Sequence, residues 1–283
     1  MTRLWNHTKT ALLMGLLMGL FLAGGYLLGG SAGMTLGLIL GGVMNFGAFF
    51  YSDKLALTAM RGQEVDRQSA PDLIEMVERL SRNAGLPMPR VYICPQQAPN
   101  AFATGRSPKH AAVAVTHGAL GLLDYGELEG VIGHELAHIK HRDTLISTVA
   151  ATIAGVFSYL PYMLMFGGLG GGHRENPLGV VGVLLFVVLA PLAAAMIQMG
   201  ISRSREYLAD AEGARIAGTP HGLIGALRKL ESVGRRVPMA SEGPSQNHMF
   251  IVQPLSGKGG GFASLFSTHP ATDDRIARLR ELA

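Results

Sequence analysis

Apolar and polar positions along this chain are segregated into blocks of very different length. Between Lys9 and Asp53 no charged side chain occurs. That stretch is twice the roughly 20 residues a helix needs to cross a bilayer, and Gly29-Gly30-Ser31-Ala32-Gly33 near its middle reads as a turn. It predicts a helical hairpin over 11–29 and 33–51. Two further charge-free runs lie between Asp143 and Arg174 and between Glu175 and Arg203. They predict a second hairpin over 145–166 and 178–200, joined by the Gly-rich loop Gly167–Pro177. A cleaved signal peptide would also place Arg3 and Lys9 before an apolar core, but a second span follows at once and no clear A-x-A site appears. Arg3, Lys9, Lys54, Arg61, Lys140, Arg142, Arg203 and Arg205 flank the four spans on one side, whereas the outer connections hold only Arg174, beside Glu175. The positive-inside rule then puts both termini and residues 52–143 in the cytoplasm.

The remaining segments predict an α+β, mainly α domain split by the second hairpin. Ser69-Ala70-Pro71-Asp72 has the cap-then-proline order of a helix start, and Leu73, Ile74, Val77 and Leu80 recur at helical spacing until Gly85. Arg90–Cys94 and Ala111–Thr116 are short β-compatible runs, which predict a small sheet. Asp124 with Glu127 three residues on is a capping-box signature for a helix whose Leu128, Val131, Ile132 and Leu136 face a core. Helical signals return over Arg203–Ala217, from Thr219-Pro220 to about Gly234, and over Asp273–Leu282. Residues 235–267, rich in Gly, Ser and Pro, read as a long loop. The expected organisation is a membrane hairpin at 1–52, a first part of the catalytic domain at 53–144, a second hairpin at 145–201 and a second catalytic part at 202–283.

Composition narrows the function. Hydrophobic residues make up 48% of the 283 and charged residues 16%, below the quarter usual for soluble domains. The net charge of +4 is modest and its basic residues are scattered, so nucleic-acid binding gets little support. Cys94 is the only cysteine, which excludes an internal disulfide, a four-cysteine zinc site and a CxxC redox pair. Glycines within the spans leave room for close helix packing and homo-oligomers.

The chemistry is concentrated in Gly133-His134-Glu135-Leu136-Ala137-His138. Histidines four apart on a helix project about 40° apart, so both imidazoles reach one ion. Glu135 can sit beside a water on that ion and act as general base. With ten histidines in the chain, random placement gives His-Glu-x-x-His at a rate of roughly 0.02 per chain, so the match is informative. Zinc wants a third protein ligand and an open position. Glu206 and Asp210, four apart in Ser202–Asp210, share a helix face. One could bind the ion while the other accepts the N–H of a ligating histidine. His141, His117 and His269 are rivals for the ligand role.

These stretches, with Pro99–Gly105 and Ser267-Thr268-His269-Pro270, resemble the HtpX heat-shock proteases, relatives of the CAAX prenyl proteases among the gluzincins. The matches run through nearly the whole chain in family order. The resemblance implies one Zn2+ per chain held by His134, His138 and Glu206, with Asp210 as the supporting acid and His269 near the metal. It also implies quality control of membrane proteins in the inner membrane of a bacterium, under envelope or heat stress.

The expected reaction is endopeptidic hydrolysis without a covalent enzyme intermediate. Glu135 moves the proton, and His269 is the candidate donor to the oxyanion. Protein or peptide substrates, chiefly membrane proteins, would dock as an added strand on an edge supplied by Asn100–Thr104 and Ala111–Thr116. The candidate contacts are Asn100, Ala101, Ala103, Val113 and Val115. Charges crowd the motif helix, from Asp124 to Asp143, which argues against a metal at the bilayer centre. The competing reading is a non-proteolytic membrane scaffold or adaptor with a structural zinc site.

Overall fold

The computed structural model describes residues 2–145, 203–234 and 270–283. The expected second hairpin beyond Leu145, the loop 235–267 and His269 lie outside these residues. The first hairpin is one element, α1 (Thr2–Ala59), reversed at Gly29 (φ −150°) and Gly30 (φ 58°). Its two arms meet backbone to backbone. A Cβ on Gly33 would fall 2.1 Å from the Gly25 carbonyl oxygen, so only glycine allows this approach. Further down, Asn45 Nδ2 donates to the Met14 carbonyl at 3.0 Å, which makes Asn45 a packing contact between the arms.

Of the described helices, the 23-residue arm Gly29–Tyr51 is long and apolar enough to cross a membrane, with a shorter apolar helix at Thr10–Tyr26 before it. The second arm does not stop at residue 51 as the charge pattern predicts. It continues to Ala59, because Leu57 and Met60 have a sheet to pack against.

That sheet is mixed, in the order β1-β2-β4-β3, with β1 Gln63–Val65, β2 Arg90–Cys94, β3 Ala101–Thr104 and β4 Ala112–Thr116. β2 and β4 run parallel, and β1 and β3 are antiparallel to their neighbours. One face (Tyr92, Cys94, Phe102, Ala112, Ala114) covers Leu57 and Met60 of the α1 end. The other (Val91, Ala101, Val113, Val115) packs on helices. Burial pushes the Cys94 thiol up to about 11, so it is an inert core residue.

Five helices besides α1 build most of the second layer: α2 (Pro71–Ala84), α4 (Tyr125–His141), α5 (Arg203–Ala217), α6 (His221–Gly234) and α7 (Thr272–Arg280). A short α3 (His117–Leu122), capped by the Thr116 side chain, links β4 to α4 and carries no strong sequence signal. α2 ends at Gly85 in the left-handed region, as expected. Ser69 does not cap α2. It closes a turn with Asp66, whose backbone N–H donates to the Ser69 hydroxyl at 2.9 Å.

α4 is the central helix. Its capping box is present in full, with Glu127 N–H donating to Asp124 Oδ1 and Asp124 N–H donating to Glu127 Oε2, both at 2.9 Å. Val131, Ile132 and Leu136 are fully buried, each such side chain contributing about 1.5–3 kcal/mol. α5 and α6 pack against it.

Candidate metal centre

Three elements bring the site together. α4 supplies His134, Glu135 and His138, α5 supplies Glu206 and Asp210, and β3 lies alongside. α5 reaches α4 so closely because both are glycine where they cross. A Cβ on Gly133 would sit 2.7 Å from the Gly213 carbonyl oxygen. The contact lets Glu206, at the start of α5, reach both imidazoles.

The two Nε2 atoms of His134 and His138 are 3.1 Å apart. Glu206 Oε2 is 3.7 Å from His134 Nε2, and its Oε1 is 3.7 Å from His138 Nε2. Tetrahedral zinc with bonds near 2.0–2.1 Å spaces its donors by roughly 3.3–3.4 Å. These three donors therefore fit one zinc ion. Both other ring nitrogens face carboxylates: His134 Nδ1 lies 2.9 Å from Asp210 Oδ1, and His138 Nδ1 lies 3.3 Å from Asp143 Oδ2. The His134 contact is close in distance but oblique, outside the angle of a good hydrogen bond. When both imidazoles are neutral with Nδ1 protonated, as metal ligation requires, the two Nε2 lone pairs face each other and a cation between them relieves the repulsion.

Charge supports the same fit. Glu135, Asp143, Glu206 and Asp210 are buried together with Arg205 and Arg275. Four carboxylates against two guanidiniums leave negative charge in excess, which a divalent ion offsets and which, without one, favours a proton on His138. Burial works against charge on His138. The Asp143 hydrogen bond and the charges of Glu206, Glu135 and Asp143 outweigh it and lift the imidazole to about 9. Burial also opposes ionisation of Asp210, but the Arg275 guanidinium holds it at about 2.

Among the sequence candidates, His134, His138 and Glu206 form the three-donor cluster. Asp210 stands behind His134. Glu135 is buried, and its Oε2 accepts the Ala103 N–H at 2.8 Å. Ala101 is buried and Ala103 half-buried on β3; Asn100, 1% exposed, adjoins them, its N–H donating to Thr116 Oγ1 at 2.8 Å. Val113 and Val115 are corrected. β4 is an inner strand between β2 and β3, and both side chains are 0% exposed in the core. Among the described residues the edge strands are β1 and β3, and β3 is the one beside the metal cluster. Of the rival ligands, His117 is exposed at the start of α3 and His141 lies outside the cluster.

Asp143, Arg205 and Arg275 were not singled out by sequence reasoning. Arg142 ends α4 in the left-handed region (φ 61°), which turns the chain so that Asp143 comes back to His138. Arg205 Nη1 then lies 3.6 Å from Asp143 Oδ1. A legible signal for Arg275 was its place beside Ile276 and Leu279 on the apolar side of α7.

Comparison with known proteins agrees with this geometry. Residues 67–283 match Peptidase family M48. A protease HtpX homolog of Desulfatibacillum aliphaticivorans is 54% identical over 278 residues, covering 97% of this chain and 89% of that one. One from Persephonella marina is 52% identical over 283 residues, covering 98% of each. The crystal structure of S. mikatae Ste24p shares the fold, with a TM-score of 0.54 at 18% identity, over 94% of this chain and 62% of that one. A three-donor zinc cluster on a His-Glu-x-x-His helix, within so long a match, places the chain in peptidase family M48 as a zinc metalloprotease of the HtpX type.

Proposed function

We propose that the protein is an endopeptidase of the bacterial inner membrane, with four spans, that cuts misfolded or damaged membrane proteins on the cytoplasmic side. The observation that carries this reading is the 2.8 Å bond from Ala103 N–H to Glu135 Oε2. Glu135 thereby touches the free edge of β3, while its charge also acts on His138 in the metal cluster. Base, metal donors and a strand edge meet at one place.

Zinc held by His134, His138 and Glu206 supplies polarisation of the scissile carbonyl and a more acidic water. Glu135 Oε2 is taken by Ala103, so Oε1 is the atom that takes the proton of the attacking water and passes it to the leaving amine. Thr116 N–H donates to the Asn100 carbonyl at 2.9 Å. Alternation along the antiparallel pair then turns the backbone groups of Ala101 and Ala103 away from β4; the Ala103 N–H goes to Glu135, and the remaining outward groups face the position of an added strand. Main-chain pairing holds an extended peptide largely irrespective of its sequence, which suits an enzyme for damaged proteins. His269 is the proposed donor to the oxyanion. The basic flanks of all four spans support a cytoplasmic site.

Glu135→Gln tests the reading. The variant should retain zinc and lose casein cleavage by at least about 10²-fold. Undiminished cleavage would favour a scaffold with a structural zinc. A reporter fused after Ala283 should work only inside the cell, and external activity would overturn the orientation.

A further inference from the structure

We propose that Arg275, on the C-terminal helix α7, is a positioning residue for the metal centre, acting on His134 through Asp210. The inference rests on the metal reading of the site. Arg275 is 1% exposed, and burying a guanidinium is costly unless it is paired and hydrogen-bonded. Here Nε donates to Asp210 Oδ2 at 2.8 Å and Nη2 to Oδ1 at 2.7 Å. Both carboxylate oxygens are thus held by one rigid fork. Oδ1 also lies 2.9 Å from His134 Nδ1. A carboxylate clamped at both oxygens cannot rotate, so Oδ1 stays against His134 Nδ1 and limits how far the ring can turn away from Glu206 and His138. Lysine cannot replace this function, because a single ammonium group does not span both oxygens in that geometry.

α7 grips α5 at a second point, where the Arg278 guanidinium lies 3.8 Å from the centre of the Tyr207 ring. That contact adjoins Glu206 in sequence but does not involve Asp210. Ile276 and Leu279 hold the helix in the core. Arg278 therefore serves as the control that separates docking of α7 from alignment of His134.

The test uses the full-length protein in detergent, with zinc affinity measured by chelator competition and the visible spectrum of the cobalt-substituted form. Arg275→Gln should weaken zinc binding by about 10–100-fold and shift the cobalt bands. Arg275→Lys keeps the buried charge and should show a smaller loss of the same kind, so the question stays answerable if the glutamine variant does not fold. Asp210→Asn should resemble Arg275→Gln, and the double variant should bind zinc no more weakly than Asp210→Asn alone. Arg278→Ala should keep wild-type affinity and spectrum. Wild-type affinity and spectrum in both Arg275 variants, or losses that multiply in the double variant, overturn the proposal. A wild-type protein that binds no zinc overturns the metal reading itself, and the two failures are distinguishable.

Discussion

A Cβ on Gly213 would fall 2.7 Å from the backbone nitrogen of His134 and 2.8 Å from its Cα. The third ligand therefore reaches the metal cluster only because α5 carries no side chain where it crosses α4. Both neighbouring atoms are backbone and cannot swing aside. Gly213→Ala should push α5 outward, separate Glu206 from the imidazoles and destabilise the protein by about 1–3 kcal/mol. Zinc titration and thermal melting check this, and wild-type zinc affinity in the variant would refute it.

The edge strand holds the proposed base through one backbone donor. Ala103→Pro removes that N–H but breaks no bond to β4, since Ala103 faces its backbone outward. Turnover should fall by about 10-fold or more with zinc retained, because Glu135 loses its orientation. A separate measurement of kcat and zinc content decides, and an unchanged kcat would detach β3 from the mechanism.

Removing the metal takes a dication from a buried site rich in carboxylates, where a proton on His138 replaces only part of its charge. Stripping it with a chelator should lower the melting temperature, and returning zinc at 100 times its Kd should restore about 2.7 kcal/mol. Glu206→Gln should bind zinc far more weakly and gain correspondingly little from added metal. Calorimetry of both proteins with and without zinc makes the comparison, and equal gains would exclude Glu206 as a ligand.

Glu212 ties α5 to α4 by accepting from Lys140 at 2.7 Å, and it also accepts from Arg215. The Arg215 hydrogen bond, with the help of Lys140, holds its carboxyl at about 2. A depressed carboxylate contributes stability above its unfolded value of 4.5 and loses it as pH falls toward about 2. Glu212→Gln should therefore cost roughly 1 kcal/mol at neutral pH, most of the pair energy being screened by solvent. The gap to wild type should close between pH 4.5 and about 2. Denaturation followed across that range tests it, and a gap that does not depend on pH would assign the loss to packing.

Local rules made much of the chain readable. The capping box at Asp124 and Glu127, the Pro71 start and Gly85 stop of α2, and the glycine reversal at Gly29–Gly30 each depend on residues within a few positions of one another. The helical spacing of His134 and His138 belongs to the same class. β4 was legible as a strand but not as an inner one. Both of its faces are covered, so Ala112–Thr116 carries no polar alternation to tell an inner strand from an edge. β1, with three mostly exposed residues, left almost no hydrophobic trace.

Residue types and spacing alone determined that two imidazoles and a carboxylate base share one helix, and that long charge-free runs frame it. Only the tertiary structure decided which edge strand lies beside the site and which buried charges steady the histidines. Asp210 and Arg275 are 65 residues apart and meet at 2.7 Å. Such a pairing is set by how α5 packs on α4 and α7 packs on α5 and α6, a long-range outcome of core burial and close glycine contact that no local pattern encodes.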